Sequence, residues 1–191
     1  APALASNIER FSQFLTLVGL TALVVGGVGV ANAVRAYLDG KEYAPKVVKY
    51  PYAFNLFSHN TAIDMATGYN DEESKVIKET KKIFEDDKIA VSATCIRVPV
   101  LRAHSVSMTF ECERPITPQE VKALLAKAPG VKLVDDWANN YFPMPKDASG
   151  QGDVLAGRIR KDLSDPSGKS ISMFVAADQL LKGAALNAVQ I

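Results

Sequence analysis

The chain has little cysteine and no excess of charge of either sign, and each shortage excludes a class of protein. Its 191 residues include two cysteines, which do not make the disulfide framework of a secreted scaffold. We therefore expect a reducing compartment. The 22 basic and 21 acidic residues leave a net charge of +1, so the composition offers no electrostatic footprint for nucleic acid. Hydrophobic content of 48% and charged content of 23% are typical of a globular protein.

Charge is missing altogether from one segment, Phe11 to Val34, with the sequence FSQFLTLVGLTALVVGGVGVANAV. As a helix this segment would extend about 36 Å, compared with about 30 Å for the hydrocarbon core of a bilayer. The pattern therefore predicts a transmembrane helix over residues 11–34.

Two other interpretations of this segment stay open. Ala31-Asn32-Ala33 has the small residues of a signal-peptide cleavage site, although the apolar region is longer than usual. Gly27-x-Gly29 has two glycines of a dinucleotide-binding turn, but Asn32 occupies the place of the third small residue.

The segment from about Ser6 to Lys41 also resembles a transmembrane segment of FtsX-like ABC transporter permeases.

From residue 43 onward the patterns predict an α+β fold. Asn70 with Glu73, and Thr117 with Glu120, have the spacing of capping boxes at the starts of two helices. Strands are predicted for KIAVSATCI, HSVSMTFECE, VKLVDD, DVLAGRIRKD and KSISMFVAAD, a long loop for residues 137–153, and a closing helix for DQLLKGAALNAVQI. Without regular βαβ spacing, these elements favour a mixed, mostly antiparallel sheet with helices on one face.

Polar groups concentrate in VSATCIRVPVLRAHS, residues 91–105. Cys95 lies among apolar residues, where a cysteine is usually a small buried hydrophobe, so we predict that neither it nor Cys112 is a nucleophile. Arg97 requires a partner for its charge, which would be either a structural ion pair or the carboxylate of a substrate. His104 is either an ordinary solvent-facing histidine or a general acid/base.

Several blocks together resemble one enzyme family. YAFNLFSHN, GYNDEESKVIKETKKIF, VSATCIRVPVLRAHS, DVLAGRIRKD and KGAALNAVQI are similar, in order and spacing, to the C-terminal catalytic and dimerisation region of aspartate-semialdehyde dehydrogenases. The resemblance covers roughly Tyr50 to Ile191. Together with the permease resemblance, it implies three parts: a permease-like segment at 1–42, a substrate-binding and dimerisation domain at 43–175, and a C-terminal helix at 176–191.

The resemblance also implies roles for individual residues. Arg97 corresponds to the arginine that holds the substrate carboxylate, and His104 to the acid/base histidine. Glu72 and Lys75 correspond to the residues that contact the substrate amino group and the phosphate. Lys182, Gly183 and Asn187 fall in the closing helix near the cofactor, which the family implies to be NADP. Cys95 corresponds to no catalytic position, and no metal is implied.

The family reaction is the NADPH-dependent reduction of aspartyl phosphate to aspartate semialdehyde. Its nucleophilic cysteine, in an Asn-Cys-x-Thr context, and its NADP loop are not found in these 191 residues, so we expect the chain alone to be inactive. The resemblance implies a small-molecule substrate, a homodimer or homotetramer formed through residues 43–191, and a cytoplasmic enzyme region. If residues 11–34 cross a membrane, the chain is membrane-anchored.

Two alternatives to the enzyme interpretation remain. In the first, the chain is a single-pass membrane protein with a non-catalytic binding domain. In the second, the sequence joins two genes artefactually near residues 41–50.

Overall fold

The computed structural model describes residues 35–36, 38–40 and 50–190. The predicted membrane helix at 11–34 and most of the predicted junction lie outside the described residues. The described residues of Val24–Leu101 form one compact unit, and those of Arg102–Ile191 form another. The boundary between the two units falls inside the predicted 43–175 domain.

The first unit has one substantial helix and a small ladder. Strand β1, Phe57–Ser58, pairs antiparallel with β2, Ile96–Arg97. The predicted strand KIAVSATCI is therefore wrong for most of its length, since Ile96 alone belongs to a strand. A strand requires a hydrogen-bonded neighbour, and β1 offers a two-residue ladder in the described part of this unit.

Helix α1, Asp71–Phe84, begins as the sequence predicts. The Asn70 side chain accepts a hydrogen bond from the Glu73 N–H, and the Glu73 carboxylate accepts one from the Asn70 N–H. The helix ends at Glu85, whose φ of 52° is left-handed. Near that end Ile83 and Phe84 are exposed.

The second unit contains a four-stranded sheet in the order β3-β6-β5-β4. Its strands are β3 His104–Glu111, β4 Val131–Leu133, β5 Val154–Lys161 and β6 Ser170–Ala177. The β3–β6 and β5–β6 pairs are antiparallel, whereas β4 pairs with β5 in parallel. The prediction of a mixed, mostly antiparallel sheet is confirmed.

Helices lie on both faces of this sheet, which differs from the predicted single face. Helix α2, Pro118–Leu125, packs Val121 into a core that includes Ala156. Ala156 and Leu155 are neighbours on β5 and point to opposite faces. Leu155 packs with Ala148 of the short helix α3, Pro145–Ala148, in a second cluster. The predicted loop at 137–153 therefore contains a helical turn, which its proline and glycine content obscured.

After β6 the chain closes with a π-helical turn, Leu181–Ala185, followed by helix α4, Leu186–Gln190. The predicted closing helix is thus present, although its first turn is wider than an α-helical one. The main-chain carbonyl of Asp178 accepts hydrogen bonds from the N–H groups of Leu181, Lys182 and Gly183. These bonds tie the start of the closing helix to the end of β6.

Candidate functional site

Arg97 lies at the end of the small ladder, opposite Phe57. The His59 N–H donates to the Cys95 carbonyl over 2.9 Å, which extends the contact between the two segments by one step. The next residue, Asn60, accepts a hydrogen bond from Arg97 Nε with its side-chain oxygen over 3.0 Å. The arginine is partly buried, and its hydrogen-bond partner is an uncharged amide. Among the described residues, no carboxylate forms an ion pair with it.

Glu72 and Lys75 project from the first turns of α1. Their side chains form an ion pair over 3.5 Å, and their exposed fractions are 36% and 55%. An ion pair this exposed contributes at most about 1 kcal/mol, so either group can exchange its partner for a ligand at little cost. The Glu72 N–H donates to the Thr61 hydroxyl over 3.4 Å. Since Thr61 follows Asn60, the segment Asn60–Thr61 contacts both the arginine and the helix start.

Glu73 connects the helix start to the segment before Arg97. One carboxylate oxygen accepts the Asn70 N–H over 3.0 Å, and the other accepts the Cys95 N–H over 2.9 Å. The carboxylate is 7% exposed, and the N–H groups of Asn70 and Cys95 hold its pKa below the ordinary value. Glu73 is therefore a structural link between two segments that carry predicted substrate-binding residues.

Cys95 is less buried than predicted. It lies one residue before β2, and its side chain is partly exposed, as is that of Cys112 next to β3. Burial raises the pKa of the Cys95 thiol, and the negative charges of Glu73 and Glu72 raise it further. A thiol held protonated in this way is a poor nucleophile, which supports the prediction that Cys95 has no covalent role.

In the second unit, three consecutive residues around His104 are tied to the end of β6 and the two residues that follow it. His104 pairs with Ala177 in the β3–β6 ladder. The Ala103 N–H donates to the Gln179 side-chain oxygen over 2.9 Å. Arg102 Nε lies 2.6 Å from a carboxylate oxygen of Asp178. The main chain at His104 is therefore fixed, while its side chain is exposed.

Asp178 is fully buried and has several donors around its carboxylate. Burial alone would raise its pKa, but the hydrogen bond from the Gly150 N–H, the adjacent charge of Arg102 and the hydrogen bond from the Leu180 N–H outweigh that effect. The pKa of Asp178 is consequently lowered, and the carboxylate is charged at neutral pH. The ion pair with Arg102 links the strand that carries His104 to the beginning of the closing helix.

The predicted cofactor residues lie in that closing helix. Lys182 and Gly183 belong to the π-helical turn, and Asn187 belongs to α4. A Cβ added at Gly183 would meet Gln179 at 3.7 Å, an ordinary contact. The described part of the fold therefore accepts a side chain at this position.

The structure brings Arg97, Glu72 and Lys75 into one unit, through the segment Asn60–Thr61. His104, Lys182, Gly183 and Asn187 belong to the other unit. The roles of all seven residues remain predictions. Asn60 and Thr61 were not among the predicted site residues, although the polar run Ser58 to Thr61 after apolar Leu56 and Phe57 is a usable signal.

The described residues contain no group of three or more His, Cys, Asp or Glu side chains placed to hold a metal ion. Within the same residues, no helix has the length and apolar character needed to cross a bilayer.

Comparisons with known proteins point to one family. A family model described as "Semialdehyde dehydrogenase, dimerisation domain" matches residues 12–182. The aspartate-semialdehyde dehydrogenase of Synechocystis is 52% identical over 162 residues, which are 85% of this chain and 47% of the relative. The chain thus spans about half the length of the curated relatives that it matches.

Solved structures agree with this match. Aspartate semialdehyde dehydrogenase II from Vibrio cholerae, solved in complex with ASA, has a TM-score of 0.79 and 35% identity, over 85% of this chain and 47% of that one. The enzyme from Candida albicans, solved with NADP, has a TM-score of 0.54 and 25% identity, over 72% of this chain and 43% of that one.

The family match extends further toward the N-terminus than the predicted resemblance, which began near Tyr50. It starts at residue 12 and so includes all but the first residue of the 11–34 segment. The comparisons give the permease resemblance no support. From its sequence match, its mixed sheet and its likeness to these solved structures, the chain belongs to the semialdehyde dehydrogenase dimerisation-domain family.

Proposed function

We propose that this chain supplies the substrate-binding and acid/base part of an NADP-dependent aspartate-semialdehyde dehydrogenase. The observation that carries the proposal is Arg97, a partly buried guanidinium held by the neutral Asn60 beside the start of α1. A planar guanidinium suits a carboxylate ligand, and no described carboxylate neutralises the charge of Arg97.

The other predicted residues are given the following roles. Glu72 would bind the substrate amino group, and Lys75 would neutralise the phosphate, because their exposed ion pair exchanges partners readily. His104 would donate and accept the proton at the reacting carbonyl oxygen, from a main chain fixed by its neighbours. The nucleophile would come from a cysteine other than Cys95, whose thiol is held protonated.

The cofactor assignment rests on the closing helix and on the family. When bound, NADPH supplies the hydride for the reduction. Lys182, Gly183 and Asn187 would contact it, as the family resemblance implies. The main cofactor-binding domain would be outside the residues described.

We further propose that the assembly is a homodimer formed through residues 43–191, in line with the name of the matching family. A tetramer has no separate support. The membrane alternative rests on the uncharged run at 11–34. It has less support than the enzyme, because the family match includes that run from residue 12. We propose a cytoplasmic location for the enzyme region.

A chimeric enzyme tests the proposed function. The part of the Synechocystis relative that precedes the region corresponding to residues 43–191 is joined to residues 43–191, and phosphate-dependent reduction of NADP with aspartate semialdehyde is assayed. We expect activity that His104→Gln lowers by roughly 100-fold or more, as for loss of a general acid/base. Glu111→Gln, an exposed substitution at the far end of the same strand, is the matched control.

A folded, dimeric chimera without activity would contradict the proposal. Equal activity of the His104→Gln and Glu111→Gln chimeras would remove His104 from the reaction while leaving the rest of the assignment standing.

A further inference from the structure

The segment Asn60–Thr61 makes one side-chain contact to each of two predicted substrate groups. Asn60 accepts from Arg97 Nε over 3.0 Å, and Thr61 accepts from the main-chain N–H of Glu72 over 3.4 Å. The segment is itself held in place, because the His59 N–H donates to the Cys95 carbonyl and the His59 ring contacts the Thr61 hydroxyl. Neither asparagine nor threonine carries charge, so these contacts leave the charges of Arg97 and Glu72 in place.

The contact with Asn60 decides which edge of the guanidinium is presented to a ligand. A guanidinium has five N–H donors and can grip a carboxylate either through Nε and one Nη, or through its two Nη groups. Since Nε donates to Asn60, the first of these edges is occupied. The two Nη groups are then the pair that a carboxylate would meet.

We propose that Asn60 is a positioning residue for Arg97: it holds Nε, so that the substrate carboxylate is received end-on by the two Nη groups. This inference rests on the proposed function and adds the geometry of the carboxylate contact. The adjacent Thr61 holds the main chain of Glu72, so the segment Asn60–Thr61 contacts both the arginine and the start of α1.

The test uses the 191-residue chain and NMR spectroscopy, with L-aspartate as the probe and succinate, which lacks the amino group, as its comparison. The Arg97 Nε–H resonance reports directly on the bond to Asn60. In the parent chain we expect this resonance to be protected from exchange, and L-aspartate to shift the Arg97 Nη signals while Nε stays bonded. L-aspartate is expected to bind more tightly than succinate.

Asn60→Leu removes the acceptor at nearly constant size. We expect faster exchange of the Arg97 Nε–H and an L-aspartate affinity lower by roughly three- to tenfold, the range for one lost hydrogen bond. Thr61→Val is expected to reduce the preference for L-aspartate over succinate. Asn139→Leu, the same exchange at an exposed site in the other unit, should change neither quantity.

The outcomes separate the two proposals. If Asn60→Leu binds L-aspartate as the parent does, while Arg97→Lys binds it more weakly, the positioning role is overturned and the proposed function stands. If L-aspartate causes no shift of the Arg97 signals in the parent chain, Arg97 does not bind the substrate carboxylate. That result would overturn both the proposed function of Arg97 and this inference. Displacement of the Nε–H from Asn60 by the ligand would show side-on binding and would also overturn the inference.

Discussion

The main-chain N–H of Cys95 donates a hydrogen bond of 2.9 Å to the carboxylate of Glu73, the residue that also closes the capping box of α1. This single carboxylate fixes the helix that carries Glu72 and Lys75 to the segment that leads into Arg97. Burial raises the pKa of the Cys95 thiol, and the negative charge of Glu73 beside it raises that pKa further.

The Cys95 thiol should therefore react slowly with alkylating agents. Its pKa is raised by burial and by the charges of Glu73 and Glu72, so the reactive thiolate is scarce at neutral pH. The measurement is the rate of iodoacetamide modification against pH in a Cys112→Ser variant. We expect the midpoint to lie above that of a cysteine in a short peptide. A midpoint near pH 7 or below would mark Cys95 as an activated nucleophile.

The ion pair between Arg102 and Asp178 should contribute strongly to stability. Removing one partner of a buried pair leaves the other charge poorly compensated, and we expect Asp178→Asn to lower the free energy of unfolding by about 3 kcal/mol. Asp153→Asn, at an exposed aspartate, is the control and should change it little. Urea unfolding of the three proteins at pH 7 makes the comparison, and equal stabilities would refute the role given to this pair.

The contribution of Asp178 should depend on pH in a defined direction. Its pKa in the folded chain is below the ordinary value of 3.8, so the charged form is favoured by folding. The stabilisation is then fully present above that ordinary value and declines as the pH falls through the lowered folded-state pKa. Repeating the urea experiment between pH 7 and pH 3 should show the gap between parent and Asp178→Asn narrowing at the acid end. A difference in the free energy of unfolding that widens as the pH falls would contradict the lowered pKa of Asp178.

Much of the fold follows from signals that are close together in the sequence. The capping boxes of α1 and α2 and the runs that predict strands β3, β5 and β6 are local patterns, and the structure confirms these elements. The error at KIAVSATCI has the opposite cause. Local β propensity cannot reveal whether a neighbouring strand is present, and the described neighbour there is two residues long.

Local sequence patterns also fail to predict the contacts within the candidate site. A family resemblance identified Arg97, but its bond to Asn60 joins residues 37 positions apart, and the Arg102–Asp178 pair joins elements that no local pattern connects. Contacts of this kind depend on the folded chain, and sequence periodicity carries no information about them.

Gly183 offers a test that separates packing from ligand binding. Gly183→Ala should leave the stability of the chain unchanged or slightly raised, because a Cβ fits there and alanine favours helix. In the chimeric enzyme it should raise the KM for NADP if the glycine approaches the cofactor. Gly157→Ala is a packing comparison, since its Cβ would overlap the Val134 carbonyl oxygen, and it should destabilise the fold severely. An unchanged KM for Gly183→Ala would remove that residue from the cofactor site.

Residues 43–191 should form a dimer at micromolar concentration. Strand β3 lies at an edge of the four-stranded sheet, and Val106 on it is 49% exposed. An open edge with an exposed apolar side chain is a suitable surface for a second copy. Val106→Lys is expected to weaken the dimer in sedimentation experiments, whereas Leu163→Lys, in a turn, should not. A folded monomer in the parent would contradict the dimer.

The central claim is that Arg97 binds the carboxylate of an amino-acid substrate, and the Arg97→Lys variant of the chimeric enzyme tests it most directly. Lysine keeps the positive charge but cannot make the two-pronged contact, so kcat/KM for aspartate semialdehyde should fall by about tenfold or more. Arg114→Lys, at an exposed arginine that pairs with Glu120, is the matched control and should keep parental kinetics. Parental kcat/KM in Arg97→Lys would contradict the account.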